Sequence, residues 1–159
     1  MTTLTLRDAT LADAALMTDL IRTAFEEQRG KVDPPSGAHN ETPEKVLAKL
    51  EQGGGFIAIV DGMEAGCVVY YPEGEHHLYF GRLAVLPSFR QHRIASTLIT
   101  AVEEKAKQQG YSGVSLSVRT SLPRNQDYFK RLGYSITGYE SHPGYTEPTF
   151  IHMLKPLTK

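Results

Sequence analysis

Leu83-Ala84-Val85-Leu86-Pro87-Ser88-Phe89-Arg90-Gln91-His92-Arg93-Ile94-Ala95-Ser96, continued by a helical pattern to Gln109, joins a strand to a helix through a basic turn. Pro87 ends the apolar run at Leu86, because a residue without an N–H cannot serve a sheet ladder. From there Ile94, Ala95, Leu98, Ile99, Val102 and Ala106 recur at steps of three and four, which predicts a helix with one buried face. Gly110 closes it as a residue free to adopt the left-handed conformation common at helix ends. The first N–H groups of such a helix have no partner within it, and its dipole places partial positive charge there. The turn from Arg90 to Ser96, with Arg90, His92 and Arg93, therefore reads as a phosphate or pyrophosphate site. A solvated basic turn over a core helix is the other reading of the same residues.

The bulk properties set few further limits. A chain of 159 residues suits one domain, long enough to bury roughly 70% of its unfolded surface. Hydrophobic content of 40% and a net charge of −1 describe an ordinary globular protein with no global field for nucleic acid or membrane. The lone Cys67 excludes an internal disulfide and agrees with a reducing compartment. No run approaches the ~20 apolar residues of a membrane span, and the first residues lack a basic region followed by an apolar core, so a cytoplasmic location is expected.

Leu4 to Arg7 alternates as a strand, and Thr10 with Asp13 forms a capping-box start to a helix with Leu16, Met17, Leu20, Ile21 and Phe25 on its apolar face. Residues 30–37 form a loop by composition. Thr42-Pro43 opens a second helix that runs to Gly53. Glu26, Glu27, Glu41 and Glu44 flank that loop, either as a solvated face or as an electrostatic lure for a cationic amine. Gly53-Gly54-Gly55 precedes a strand instead of opening a helix, and so fails the structural test for a dinucleotide fingerprint. Three strands in a meander follow, Phe56–Val60, Ala65–Tyr71 and His76–Leu86, with turns at Asp61-Gly62 and Pro72-Glu73-Gly74. Without a bulge, Glu75, His77, Tyr79, Gly81, Leu83 and Val85 share one face of the third strand. His76 and His77 then point to opposite faces, and no cluster has zinc-ligand spacing, so no metal is expected. After the basic-turn helix come a strand over Val114–Val118, a short helix ending at Gly133-Tyr134 and a final hairpin, Ser135–Tyr139 with Thr149–Leu154.

The pattern Leu-Ala-Val-x-Pro-x-x-Arg-x-x-x-Ile-Ala-x-x-Leu resembles the acyl-CoA signature of the GNAT N-acetyltransferase superfamily. Arg90 and Ala95 match it, whereas Arg93 stands where the family usually has Gly, a residue that tolerates unusual φ and close backbone approach. The resemblance implies that the CoA pyrophosphate is wrapped by Arg90, Gln91, His92, Arg93, Ile94, Ala95 and Ser96. It also implies that backbone groups of Leu83, Ala84 and Val85 meet the pantetheine arm and thioester, through a bulge with which Gly81 is compatible. Asn125 to Tyr134 resembles the family's second CoA motif, with Asn125 and Leu132-Gly133-Tyr134 matching. There Phe129 occupies the place of a Tyr credited with protonating the departing thiolate. Tyr128, about 100° around the helix, is a packing residue or its substitute. The family's frequent base is a Glu on the third meander strand. Counting from Arg90 places Tyr79 there, a poor base with a reference pKa near ~10, with His77 and Glu75 as neighbours.

The implied fold is a single α/β domain over residues 1–159, a GNAT-like central twisted mixed β-sheet (α+β) flanked by helices. The implied activity is transfer of acetyl from acetyl-CoA to a primary amine by direct attack with both substrates bound. The expected partners are acetyl-CoA and a small-molecule amine acceptor, with a homodimer left open and neither nucleic acid nor membrane involved. Two alternatives are an acyl-CoA-binding regulatory module without turnover and an unrelated α/β nucleotide-binding domain. The absence of Walker and Rossmann motifs counts against the second.

Overall fold

A computed structural model describes residues 2–90 and 93–157. Its seven strands form one sheet in the order β1-β2-β3-β4-β5-β7-β6, from β1 (Leu4–Asp8), β2 (Gly54–Val60), β3 (Met63–Glu73), β4 (His77–Val85), β5 (Gly113–Arg119), β6 (Ser135–Glu140) and β7 (Phe150–Pro156). The pairings are antiparallel except β4 with β5, which run parallel. Helices α1 (Ala14–Phe25) and α2 (Pro43–Gln52) cover one face, and α3 (Ile94–Gln108) with α4 (Pro123–Arg131) covers the other.

Local chemistry explains most boundaries. The capping box at Thr10 and Asp13 forms, with Asp13 also chelated by Arg7 at 2.8 and 2.9 Å, although a short 3-10 turn precedes α1 proper. Thr42 accepts a hydrogen bond from the Lys45 N–H at 3.2 Å, and Pro43 opens α2 where its missing donor costs little. Asp61 and Gly62 both take positive φ, 50° and 84°, and Val60 pairs with Met63, so this is a tight two-residue hairpin. Met63 and Glu64, ahead of the strand expected from Ala65, belong to β3.

Two apolar layers hold the sheet. Ile94, Leu98, Ile99, Val102 and Ala106 of α3 pack with Phe56, Val68, Phe80, Leu116 and Met153. Met17, Leu20 and Ile21 of α1 with Val46 and Leu50 of α2 cover Ile57, Cys67, Val69 and Ala84. Each buried Leu or Ile contributes about 1.5–3 kcal/mol of transfer free energy.

β4 is the irregular strand. Cys67 pairs with Ala84 and Val69 with Gly81, so Arg82 and Leu83 together oppose the single residue Val68. The extra residue is a β-bulge, and it inverts the facing of everything after it. Leu78 and Phe80 point to the α3/α4 layer before the bulge, and Leu83 and Val85 point there after it. The bulge implied by the resemblance is thus present, and Tyr79 does not share the face of Leu83 and Val85 as it would on a strand without one. Gly81 is not the strained residue. Arg82 takes the left-handed conformation at φ 51°.

Candidate active site

The pairing of β4 with β5 covers only His77↔Gly113, Leu78↔Val114 and Tyr79↔Ser115. Beyond Tyr79 the strands separate, leaving that edge of β4 without a strand partner among the described residues. The gap is the floor of a cleft of about 1010 Å³. Because side chains alternate, the cleft has two sides. Leu83 and Val85 of β4 with Leu116 and Val118 of β5 face α3 and α4, whereas Tyr79, Arg82, Ser117 and Arg119 face α1 and α2.

On the α3/α4 side the N-terminus of α3 opens into the cleft, with Arg93, Ile94, Ala95 and Ser96 in its lining. Arg93 is the N-cap residue, in the left-handed conformation at φ 58° and ψ 28°, and its side chain makes no cap hydrogen bond. An arginine thus adopts the backbone geometry that the resemblance assigns to a glycine. Its carbonyl accepts from Thr97 Oγ1 at 2.7 Å and Ser96 Oγ at 3.1 Å. Gln91 and His92 of the expected anion turn lie outside the described residues.

Arg90 lines the cleft, but its guanidinium is directed elsewhere. It donates to Glu27, to the Ala24 carbonyl at 3.1 Å and to the Val85 carbonyl at 3.0 Å. The expectation of a free cation for phosphate is corrected: Arg90 ties the end of α1 to the β4–α3 turn and is balanced by Glu27. Ala84 is buried in the α1/α2 layer and does not line the cleft, so only its backbone is available to a ligand.

From α4, Asn125, Tyr128 and Phe129 line the same side. Phe129 packs its ring near Phe80 and Tyr134, with centroids 6.3 and 6.2 Å away, and so completes an aromatic cluster. Burial raises the Tyr128 hydroxyl above the ordinary tyrosine value, against a smaller lowering by Ser96 at the start of α3.

On the α1/α2 side, Tyr79 lies near Tyr71 with ring centroids 5.2 Å apart, and Ser117 beside it bonds His152 at 3.2 Å. Burial raises the pKa of Tyr79, so it stays protonated at neutral pH and is no base. His77 sits where β4 and β5 remain paired, and Glu75 lies in the preceding turn; neither lines the cleft. That corrects the expected grouping of His77 with Tyr79 at the site.

Arg82, Arg119 and His142 line the cleft without having been singled out from sequence, and Glu41 beneath them plays neither of the parts read for it there. Glu41 is buried, its Oε2 receiving Arg82 Nε at 2.7 Å and Lys49 Nζ at 3.3 Å. Burial alone would raise its pKa, but Arg82 and Lys49 outweigh it and hold the carboxyl below its ordinary value. Glu41 is therefore neither solvated nor a free anionic lure. Glu26 and Glu27 are likewise tied, to Arg29 and Arg90. Arg119 donates to the Pro34 and Pro35 carbonyls, which holds the loop of residues 30–40 over the end of β5, and Tyr145 Oη bonds Asp33 of the same loop. His142 lines the cleft near Arg119; burial first, then Arg119, lowers its pKa and favours the neutral imidazole.

The fold is shared with several solved acetyltransferases. The ribosomal-protein-S18-alanine N-acetyltransferase of Escherichia coli superposes with a TM-score of 0.79 at 14% identity, covering 99% of this chain and 96% of that one. The PaiA N-acetyltransferase of Thermoplasma acidophilum, solved with coenzyme A, gives 0.78 at 16% identity, covering 98% and 99%. A GNAT family acetyltransferase from Elizabethkingia anophelis with acetyl-CoA bound gives 0.73 at 20% identity, covering 97% and 98%. In sequence, the chain is 30% identical over 89 residues to naa20, the N-terminal acetyltransferase B complex catalytic subunit of Schizosaccharomyces pombe, 54% of this chain and 49% of the relative. The match thus spans about half the length of that curated relative. The acetyltransferase (GNAT) family model matches residues 14–134, a span that holds the split between β4 and β5, the start of α3 and all of α4, and the chain belongs to that family.

Proposed function

We propose that the cleft binds acetyl-CoA and passes its acetyl group to a primary amine held on the α1/α2 side. The observation that carries this reading is the departure of β4 from β5 after Tyr79↔Ser115, with the Arg82 bulge and the α3 N-terminus opening on one gap. An unpaired strand edge offers backbone donors and acceptors to an extended, amide-bearing arm, as in strand addition. A helix N-terminus beside it favours a pyrophosphate. Acetyl-CoA supplies the activated thioester. The Leu83 N–H is positioned by this reading to donate to the oxygen that gains charge as the amine attacks, an interaction worth about 3–4 kcal/mol when the donor is preorganised.

His142 takes a proton from the acceptor's ammonium, and the neutral amine then attacks the thioester. Of the described cleft-lining side chains able to accept a proton, Glu27 is occupied by Arg90, whereas His142 is held neutral. Tyr128 stays protonated and donates to the departing thiolate in place of Phe129. That help is secondary, since a thiol with a pKa near ~8.5 leaves without full protonation.

Calorimetric titration with acetyl-CoA, with ATP and NAD as controls, followed by thiol release against an amine panel, tests the reading. Binding of acetyl-CoA and amine-dependent thiol release uphold it, and failure to bind acetyl-CoA overturns it. His142→Gln should remove the acidic limb of the kcat/KM pH profile, and Tyr128→Phe should lower kcat while leaving acetyl-CoA affinity in place. One observation favours a second reading: Phe129 is built into the aromatic cluster and brings no hydroxyl to the cleft. Acetyl-CoA binding without thiol release for any amine would assign the chain to an acyl-CoA-responsive module.

A further inference from the structure

The charges that line the cleft are one-sided. Lys49, Arg82, Arg90, Arg93 and Arg119 are in its wall, and among the described lining residues Glu27 is the only carboxylate. Glu27 is spent on Arg90, and Arg93 stands at the α3 N-terminus on the other side. Lys49, Arg82 and Arg119 remain, all facing the acceptor side. Glu41 beneath them balances one charge: its side chain is 1% exposed and engages Arg82 through Nε and Lys49 through Nζ. The two Nη groups of Arg82 make no hydrogen bond within the described residues, and one lies against Gly37 of the covering loop. Arg119 bonds two carbonyls and no carboxylate among the described residues. Two further carboxylates lie nearby, each with its hydrogen bond taken by a hydroxyl: Asp33, close enough to raise the pKa of Arg119, accepts from Tyr145, and Glu73, near Tyr79, accepts from Ser115.

A pocket with surplus positive charge repels an acceptor whose only charge is an ammonium, and raises the local concentration of one that also carries an anion. A guanidinium with free Nη donors fits a carboxylate in two-point geometry. From this we infer that the acceptor is a small amine that also bears a carboxylate, an amino acid in the broad sense, whose carboxylate docks on Arg82 and Arg119 while its amine faces the β4–β5 gap. The inference rests on the acetyl-transfer reading for the fate of the amine, and on charge placement alone for the carboxylate.

The test measures thiol release from acetyl-CoA with free α- and ω-amino acids, their carboxamides and spermidine, on the native chain, Arg119→Gln and Arg82→Lys. The same acceptors are also titrated calorimetrically without acetyl-CoA. Amino acids should exceed their amides by about tenfold or more in kcat/KM, the scale of one charge-assisted contact, and that preference should collapse in Arg119→Gln. Arg82→Lys retains a cation for Glu41 and loses only the fork, so it separates recognition from folding. Preference for amides or spermidine, or an unchanged preference in both variants, overturns the inference. If acetyl-CoA does not bind, the transfer reading falls by itself. Direct titration then decides the pocket: tighter binding of the amino acid than of its amide upholds it, and equal or absent binding overturns it.

Discussion

Arg93 holds a backbone geometry that its side chain opposes, and two substitutions there separate backbone from charge. At φ 58° and ψ 28° a Cβ crowds the carbonyl, at a cost of roughly 1–2 kcal/mol. Glycine escapes that cost and gives back about 0.5–1 kcal/mol through the greater freedom of its unfolded chain. Arg93→Ala keeps the Cβ and removes the guanidinium, which is exposed and makes no cap hydrogen bond. Arg93→Gly removes both. The glycine variant should therefore be more stable than the alanine variant by about 0.5–1 kcal/mol, or about 1–4 °C in Tm for a chain of this size. Urea and thermal unfolding monitored by circular dichroism read that difference. Calorimetry with CoA reads the other half, since both variants lose the same charge. If Arg93 contributes by charge, they weaken CoA binding equally; if it contributes by the shape of its turn, the glycine variant binds as the native chain does. An alanine variant as stable as the glycine one would refute the left-handed cap and with it the equivalence to the family's glycine.

Three other consequences follow from named contacts. Arg7, through two hydrogen bonds, holds Asp13 well below the usual carboxylate range, so its stabilisation is present above the unfolded pKa of ~3.9 and is lost as pH falls through the lower folded value. Asp13→Asn should cost about 1 kcal/mol at neutral pH, with Arg7 partly solvent-screened, and the gap to the native chain should close only in acid, as measured by urea unfolding at several pH values. Burial pushes the Cys67 thiol up to about 12, so a thiol reagent at pH 8 should label it only as fast as the fold opens, and labelling at the rate of a free thiol would contradict its place in the α1/α2 layer. Glu41→Ala leaves Arg82 and Lys49 uncompensated; both cations are about a quarter exposed, so the loss should be about 2–3 kcal/mol, under the 3–5 kcal/mol typical of a broken buried pair, with Glu41→Gln in between by thermal unfolding.

Where neighbouring residues determine local structure, the elements were legible. The α3 face, the Thr42-Pro43 start of α2, the Asp61-Gly62 hairpin and the Thr10/Asp13 cap all depend on spacings of four residues or fewer, and each forms. The α1/α2 side of the cleft depends on longer reach. Glu41 resembles any exposed carboxylate until Arg82, 41 positions away, and Lys49, eight away, fold against it. Arg119 meets Pro34 across 85 positions, and no local pattern announces that contact.

The bulge in β4 lies between these cases, because its trace is in the sequence in a form that simple alternation hides. Leu78 and Phe80 occupy even positions, whereas Leu83 and Val85 occupy odd ones, and all four face α3 and α4. A straight strand would turn Leu83 and Val85 out of that layer, against the burial that favours them there. One extra residue reconciles the two halves, and Arg82 absorbs it at positive φ. The same step swings the Arg82 guanidinium onto Glu41, on the side of the sheet opposite Leu83. A change of parity in the apolar pattern thus predicts a break in the β3–β4 ladder and, at the same residue, a cation turned to the α1/α2 side of the cleft. The left-handed residue Arg82 is also the one paired with Glu41, so a carboxylate that never reaches the cleft surface anchors the side chain at the bulge.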